Sequence, residues 1–136
     1  MKKLTSWDED PIASFSSFVF TDDFARTSLR QPADLILRTI STESAKTYIF
    51  MFGNFVKWMV AEQKTLSTIT QFDLLRFINR TENGKRLLNS KIAFRYLRLI
   101  ERCYDHLGNV PNPARLTMLT TAPGEFAKDA AGRSLS

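Results

Sequence analysis

Apolar residues recur at helical spacing in three stretches of this chain, and these stretches predict its main elements. The first runs from about Glu43 to Gln63. On a wheel of about 100° per residue, Ala45, Tyr48, Ile49, Phe52, Phe55, Val56, Met59 and Val60 share one broad face. Lys46, Thr47, Asn54 and Lys57 lie opposite, together with Phe50, while Met51 and Trp58 sit on a flank. Ser41 or Thr42 is the expected N-cap, because a hydroxyl oxygen there accepts an otherwise orphaned backbone N–H. A helix this apolar is expected to be central, with neighbours on most of its girth. Gly53 in its interior costs about 1 kcal/mol relative to alanine, which points to a close crossing.

The second stretch opens at Thr70. With Asp73 three residues on, it resembles a capping box, Asp standing for the usual Glu or Gln. The helix it predicts spans about Gln71 to Asn79, with Leu74, Leu75 and Ile78 on its apolar side. Thr81 to Arg86 then reads as a loop around the turn signal Asn83-Gly84. The third stretch starts after Asn89 or Ser90 and ends at Gly108, where glycine tolerates the left-handed cap. Val110-Pro111-Asn112-Pro113 blocks continuation.

The flanks carry weaker patterns. Residues 1–31 mix acids, Ser/Thr and isolated Phe15, Phe18, Phe20 and Phe24, and predict a partly irregular arm with Phe18-Val19-Phe20 extended. Pro32 is suited to the start of a short helix, Ala33 to Thr39, with Leu35, Ile36 and Ile40 on one side. Residues 114–136, rich in Ala, Gly, Thr and Ser, read as a linker or frayed end. The expected architecture is all-α: a small bundle of about four helices over residues 32–113, with flexible N- and C-terminal tails.

Composition changes the picture where it excludes classes. A hydrophobic share of 43% in 136 residues supports a buried core. No apolar run reaches the roughly 18 residues of a membrane span. The start, Met1-Lys2-Lys3-Leu4, runs into acids without the apolar segment of a secretory signal. A single Cys103 forms no internal disulfide, and one Cys with one His makes a poor zinc site. These features favour a cytoplasmic protein without cofactor or metal, off the membrane.

Charge is more informative by segment than in total. Of the net +5, residues 1–40 contribute −1, residues 41–113 contribute +5 and residues 114–136 contribute +1. The excess coincides with the strongest helical pattern, which suggests a polyanionic partner. In the last helix, Lys91, Arg95, Arg98 and Arg102 fall within about 60° on the wheel and extend about 16 Å along the axis. Ala93, Tyr96, Leu97, Leu99, Ile100, Cys103, Tyr104 and Leu107 face the other way. Cys103 reads as a small buried hydrophobe. Like charges at this spacing repel, and Glu101 and Asp105 lie off the stripe. An aligned cation row is best completed by phosphates, whose counterion release drives binding. Lys85 and Arg86 extend the charge, so that residues 85–102 hold six cations against one acid. The alternative is a solvated helix face. No catalytic constellation is visible: His106 is the only histidine, and there is no phosphate-binding glycine loop, nucleophile motif or carboxylate pair.

From Thr42 to Pro113 the chain resembles the SAM-like core-binding domain of tyrosine recombinases of the phage-integrase type. Ser44-Ala45-Lys46-Thr47-Tyr48 resembles the start of that domain's first long helix, with Phe52, Phe55 and Trp58 following Tyr48 at its aromatic and leucine positions. Leu66-Ser67-Thr68-Ile69-Thr70-Gln71-Phe72-Asp73-Leu74 resembles its connector and second helix. Ser90 to Leu107 resembles its last helix, with Arg95, Leu97, Leu99 and Tyr104 in register, and Asn112-Pro113 its closing Asn-Pro. The resemblance covers about half of the chain and rests on order and spacing rather than on invariant residues. It implies a bundle of about four helices that clamps one side of a recombination site on double-stranded DNA while a catalytic domain covers the other. It implies DNA contacts from Lys46, Thr47, Lys57, Ser90, Lys91, Arg95 and Arg98; Arg102, Lys85 and Arg86 are added from charge alone. The family's catalytic arginines, His-x-x-Arg motif and nucleophilic tyrosine have no counterpart here, and Tyr48, Tyr96 and Tyr104 all fall on core faces. The chain is therefore expected to bind DNA without cutting it. Thr120 to Ser136 is expected to lead into a catalytic domain, with other protomers as partners of the longer protein and a monomeric state for this domain alone. Two rivals remain open: a helix-turn-helix regulator, disfavoured by the nine residues from Arg80 to Leu88, and a protein-interaction module exposing Phe50, Met51 and Trp58 as an apolar patch.

Overall fold

Local capping chemistry sets where the long helices begin, and a computed structural model of the chain shows it at each start. The structure describes residues 2–26, 41–108 and 111–120. The expected helix Ala33–Thr39 and the segment from 121 onward lie outside the described residues. The protein is mainly helical and divides into two compact units, Met1–Thr68 and Ile69–Ser136. The boundary falls inside the stretch 32–113 that the sequence presents as one region.

The first unit contains α1 (Lys2–Glu9), α2 (Pro11–Val19), α3 (Asp22–Arg26) and α4 (Thr42–Ala61). Ser41 caps α4 by accepting from the Ser44 N–H, as its position predicted. Past the helix end Gln63 is left-handed (φ 60°), and the Lys64 N–H returns to the Met59 carbonyl at 3.0 Å. The N-terminal segment departs from expectation: it is helical, and Phe18-Val19 closes α2 rather than forming an extended piece. Asp10 caps α2 through the Ala13 N–H, with Pro11 at the first position, where its missing N–H costs nothing. Phe15, Phe18 and Val19 then share one side at i, i+3 and i+4, and all three are buried.

Those rings pack on α4. Phe15 stacks on Phe52 at 4.3 Å with planes 6° apart. Trp7 meets Phe15, Phe18 and Phe52 edge-on, and Phe24 meets Tyr48. Each such side chain contributes about 1.5–3 kcal/mol when fully buried, enough to order helices too short and serine-rich to stand alone. Asp8 adds a polar tie, accepting from the Ser67 N–H at 3.2 Å and the Ser67 hydroxyl at 2.7 Å. Gly53 does not mark a close crossing, because a methyl group built there meets nothing within 4 Å.

The second unit contains α5 (Gln71–Ile78), β1 (Thr81–Glu82), β2 (Lys85–Arg86), α6 (Ser90–Leu107) and α7 (Pro113–Thr120). The Thr70/Asp73 capping box is present in both directions. The segment read as a loop is a minimal antiparallel hairpin, pairing Thr81 with Arg86 and Glu82 with Lys85. Asn83 (φ 55°) and Gly84 (φ 78°) supply the two left-handed residues that such a two-residue turn needs. Asn89 caps α6 by accepting from the Ile92 N–H at 2.9 Å, and Gly108 ends it at φ 75°.

Part of the stretch taken for a linker is a helix. Asn112 accepts from the Ala114 and Arg115 N–H groups, and Pro113 follows it into α7. Thus Asn112-Pro113 opens an element instead of closing the domain. α7 packs against α5 and α6, burying Ala114 and Thr117 completely. The Thr117 hydroxyl donates within reach of the Pro113 and Gln71 carbonyls, at 2.8 and 3.2 Å. Among the described residues no helix is long and apolar enough to cross a membrane.

Candidate nucleic-acid interface

α6 segregates core and charge as its sequence requires. Ala93, Tyr96, Leu97, Leu99, Ile100, Cys103, Tyr104 and Leu107 are all buried, and Phe77 of α5 meets Tyr96 edge-on at 5.3 Å. Lys91 and Arg95 are exposed on the far side, and no carboxylate of the described residues pairs with either. The other two members of the predicted row differ. Arg98 is half-buried and donates to Glu101 at 3.0 Å, so the row is partly compensated. Arg102 is half-buried as well. Helical projection set Glu101 off the stripe, but its side chain at i+3 is long enough to return to it.

Glu101 is the centre of a polar network that the sequence pattern did not reveal. It is 8% exposed, and its second oxygen accepts from Arg115 Nε at 2.9 Å. Arg115 reaches Asp105 at 2.6 Å, and the Asn112 amide donates to the Glu101 carbonyl and to Asp105. The hydrogen bond to Glu101, with Asp105 adding its charge, holds the Arg115 guanidinium above its usual range. This network fastens α7 to α6. Arg98 and Arg115 are therefore engaged in the fold before any partner arrives.

The hairpin places Lys85 and Arg86 in the open. Arg86 also donates to the Asn79 side chain at 3.2 Å and toward the Ile78 carbonyl at 3.4 Å, at the end of α5 where a cation is favoured. Arg80, next to it, donates to the Phe77 carbonyl and lies over that ring at 4.3 Å; burial lowers its pKa somewhat. Ser90 is buried at 2% exposure in the first turn of α6 and presents nothing to a large ligand.

In the first unit, Lys46, Thr47 and Lys57 project from the exposed side of α4. The Thr47 hydroxyl donates to the Glu43 carbonyl at 3.2 Å. Phe50 stands among these residues at 69% exposure, while Met51 and Trp58 are half-buried. Among the described residues, Lys46 and Lys57 in one unit and Lys85, Lys91 and Arg95 in the other are exposed cations that no carboxylate pairs with.

Cys103 is fully buried, and burial pushes its thiol well above the ordinary value, keeping it protonated. No group of three His, Cys, Asp or Glu among the described residues is placed to hold a metal. No family model, curated protein or solved structure matches the chain.

Proposed function

We propose that this chain is a non-catalytic, cytoplasmic DNA-binding module, a relative of the SAM-like core-binding domain of a tyrosine recombinase, which contacts duplex DNA through α6 and the hairpin of one unit and through α4 of the other, each by itself. The observation that carries this reading is the division of α6: a buried apolar side and, opposite, exposed Lys91 and Arg95 without carboxylate partners among the described residues. Such cations gain most by displacing counterions from phosphate. Lys85, Lys46 and Lys57 add contacts of the same kind, Arg86 and Arg102 contribute charge, and Arg98 contributes only as far as phosphate competes with Glu101. These contacts position the protein; sequence discrimination needs base-edge contacts. Strand exchange, and assembly with other protomers on a recombination site, belong to the longer protein this reading implies. The test is titration with a short duplex at two salt concentrations, beside Lys91→Ala/Arg95→Ala. Binding that weakens steeply with salt and falls in the variant supports the proposal.

One observation favours a second reading. Phe50 is exposed, as a protein-interaction module requires, although Met51 and Trp58 are only half so. A helix-turn-helix regulator is disfavoured, because a β-hairpin rather than a short turn joins α5 to α6.

A further inference from the structure

We propose that Phe50 of α4 reads DNA sequence through apolar contact with the 5-methyl group of thymine in the major groove. This rests on the reading of the chain as a duplex-binding module and assigns Phe50 a role in specificity.

Phe50 is the most exposed large aromatic among the described residues, at 69%. Its position is central to the polar side of α4. At about 100° per residue, Lys46, Thr47, Asn54 and Lys57 all project within about 60° of it. Lys46 lies one turn before it and Lys57 two turns after, about 16 Å apart along the axis. Both lysines are exposed and have no carboxylate partner among the described residues. The buried side of α4, with Ala45, Phe52, Phe55, Val56 and Met59, faces the other way. Nothing in the packing of α4 therefore calls for a ring at position 50.

The flanking charge names the occupant. An apolar protein partner would have to strip water from two unpaired ammonium groups beside the ring, at a net cost. A duplex satisfies all three groups. The major groove admits one α-helix, with phosphates along both walls and base edges on its floor. Lysines at either end of the face reach the walls, which leaves the ring between them above the floor. Phenylalanine has no polar atom, and the apolar group that base pairs present in the major groove is the thymine methyl. α6 carries a related feature: Phe94, 42% exposed, borders the Lys91 and Arg95 stripe.

The test uses the full chain, as wild type and as Phe50→Ala. The probes are a duplex of alternating adenine and thymine, the same duplex with deoxyuridine for every thymidine, and a duplex of alternating guanine and cytosine. Replacing thymine by uracil removes the methyl group and little else. Wild type is expected to prefer the thymine duplex over the uracil duplex about fourfold, the affinity equivalent of burying one methyl. Phe50→Ala is expected to bind the two equally and to keep wild-type affinity for the guanine–cytosine duplex, with an unchanged Tm. A wild-type ratio near one, or a preference that persists in Phe50→Ala, overturns the methyl contact while leaving duplex binding intact. Loss of affinity for all three probes alike overturns it too, as does a change in the sedimentation mass of free protein, which assigns the ring to a second copy. Failure of wild type to bind any duplex removes this inference together with the proposed function.

Discussion

The two units are held together by different means, and the difference bears on which cations are available to a ligand. The first is closed by rings: Trp7, Phe15, Phe18, Phe24 and Phe52 interlock over α4, while Lys46 and Lys57 stay exposed on its other side. The second is closed by aliphatic and aromatic packing along α6 together with the network of Glu101, Asp105, Asn112 and Arg115. That network also draws in Arg98. Lys46 and Lys57 in the first unit are thus surface residues, whereas in the second unit Arg98 and Arg115 are structural members. Counting cations along the sequence treats both kinds alike.

The contrast breaks most readily at the ring cluster. Phe52→Ala removes the partner on which Phe15 stacks, and is expected to destabilise by about 3–5 kcal/mol, read as a fall in Tm and in the denaturant midpoint. A loss under about 1 kcal/mol would mean that the N-terminal helices do not depend on α4. In the second unit the corresponding site is polar. Asn112→Ala leaves two N–H groups of α7 uncapped and removes its bonds to α6. It is expected to cost about 1–3 kcal/mol and to expose α7 to limited proteolysis before α6.

Cys103 sharpens the contrast through pH. Its thiol is raised by burial, so the folded protein keeps a proton that the unfolded chain loses above the ordinary thiol pKa. Stability from this group is whole below that value and declines as pH rises through it toward the raised folded value, by up to about 1.4 kcal/mol per pH unit. The stability gap between wild type and Cys103→Ala should narrow over that window, and a thiol reagent should label Cys103 only after unfolding. The smallest expected effect has the opposite sign. Gly53→Ala places its methyl group in open space within a helix and is expected to stabilise the first unit by up to about 1 kcal/mol.

What the sequence made legible was local. α4, α5 and α6 each combine sustained apolar periodicity with a cap a few residues away, so both their existence and their starts could be read. α2 carried the same kind of signal in a shorter space: Asp10, Pro11 and the spacing of Phe15, Phe18 and Val19. Its serines obscured the period, and only packing on Phe52 makes the helix persist. α7 was announced by Asn112 and Pro113, a cap and a first-turn proline, which read equally well as a terminator. The candidate site was legible in outline, since Lys91 and Arg95 are exposed where the wheel put them. The pairing of Arg98 with Glu101 depends on side-chain reach, the hold of Arg115 on Glu101 joins residues fourteen positions apart, and the burial of Ser90 depends on how α6 begins. Those are tertiary facts.

The most direct test is the salt dependence of duplex binding by wild type, Lys91→Ala/Arg95→Ala and Arg98→Ala. If free cations on α6 neutralise phosphates, the double variant should lower the slope of log affinity against log salt by about two, one for each lost contact, and weaken binding sharply at low salt. Arg98→Ala, whose charge is already met by Glu101, should change the slope by less than one. An unchanged slope in the double variant, or no duplex binding by wild type at low salt, would contradict the assignment of α6 to DNA.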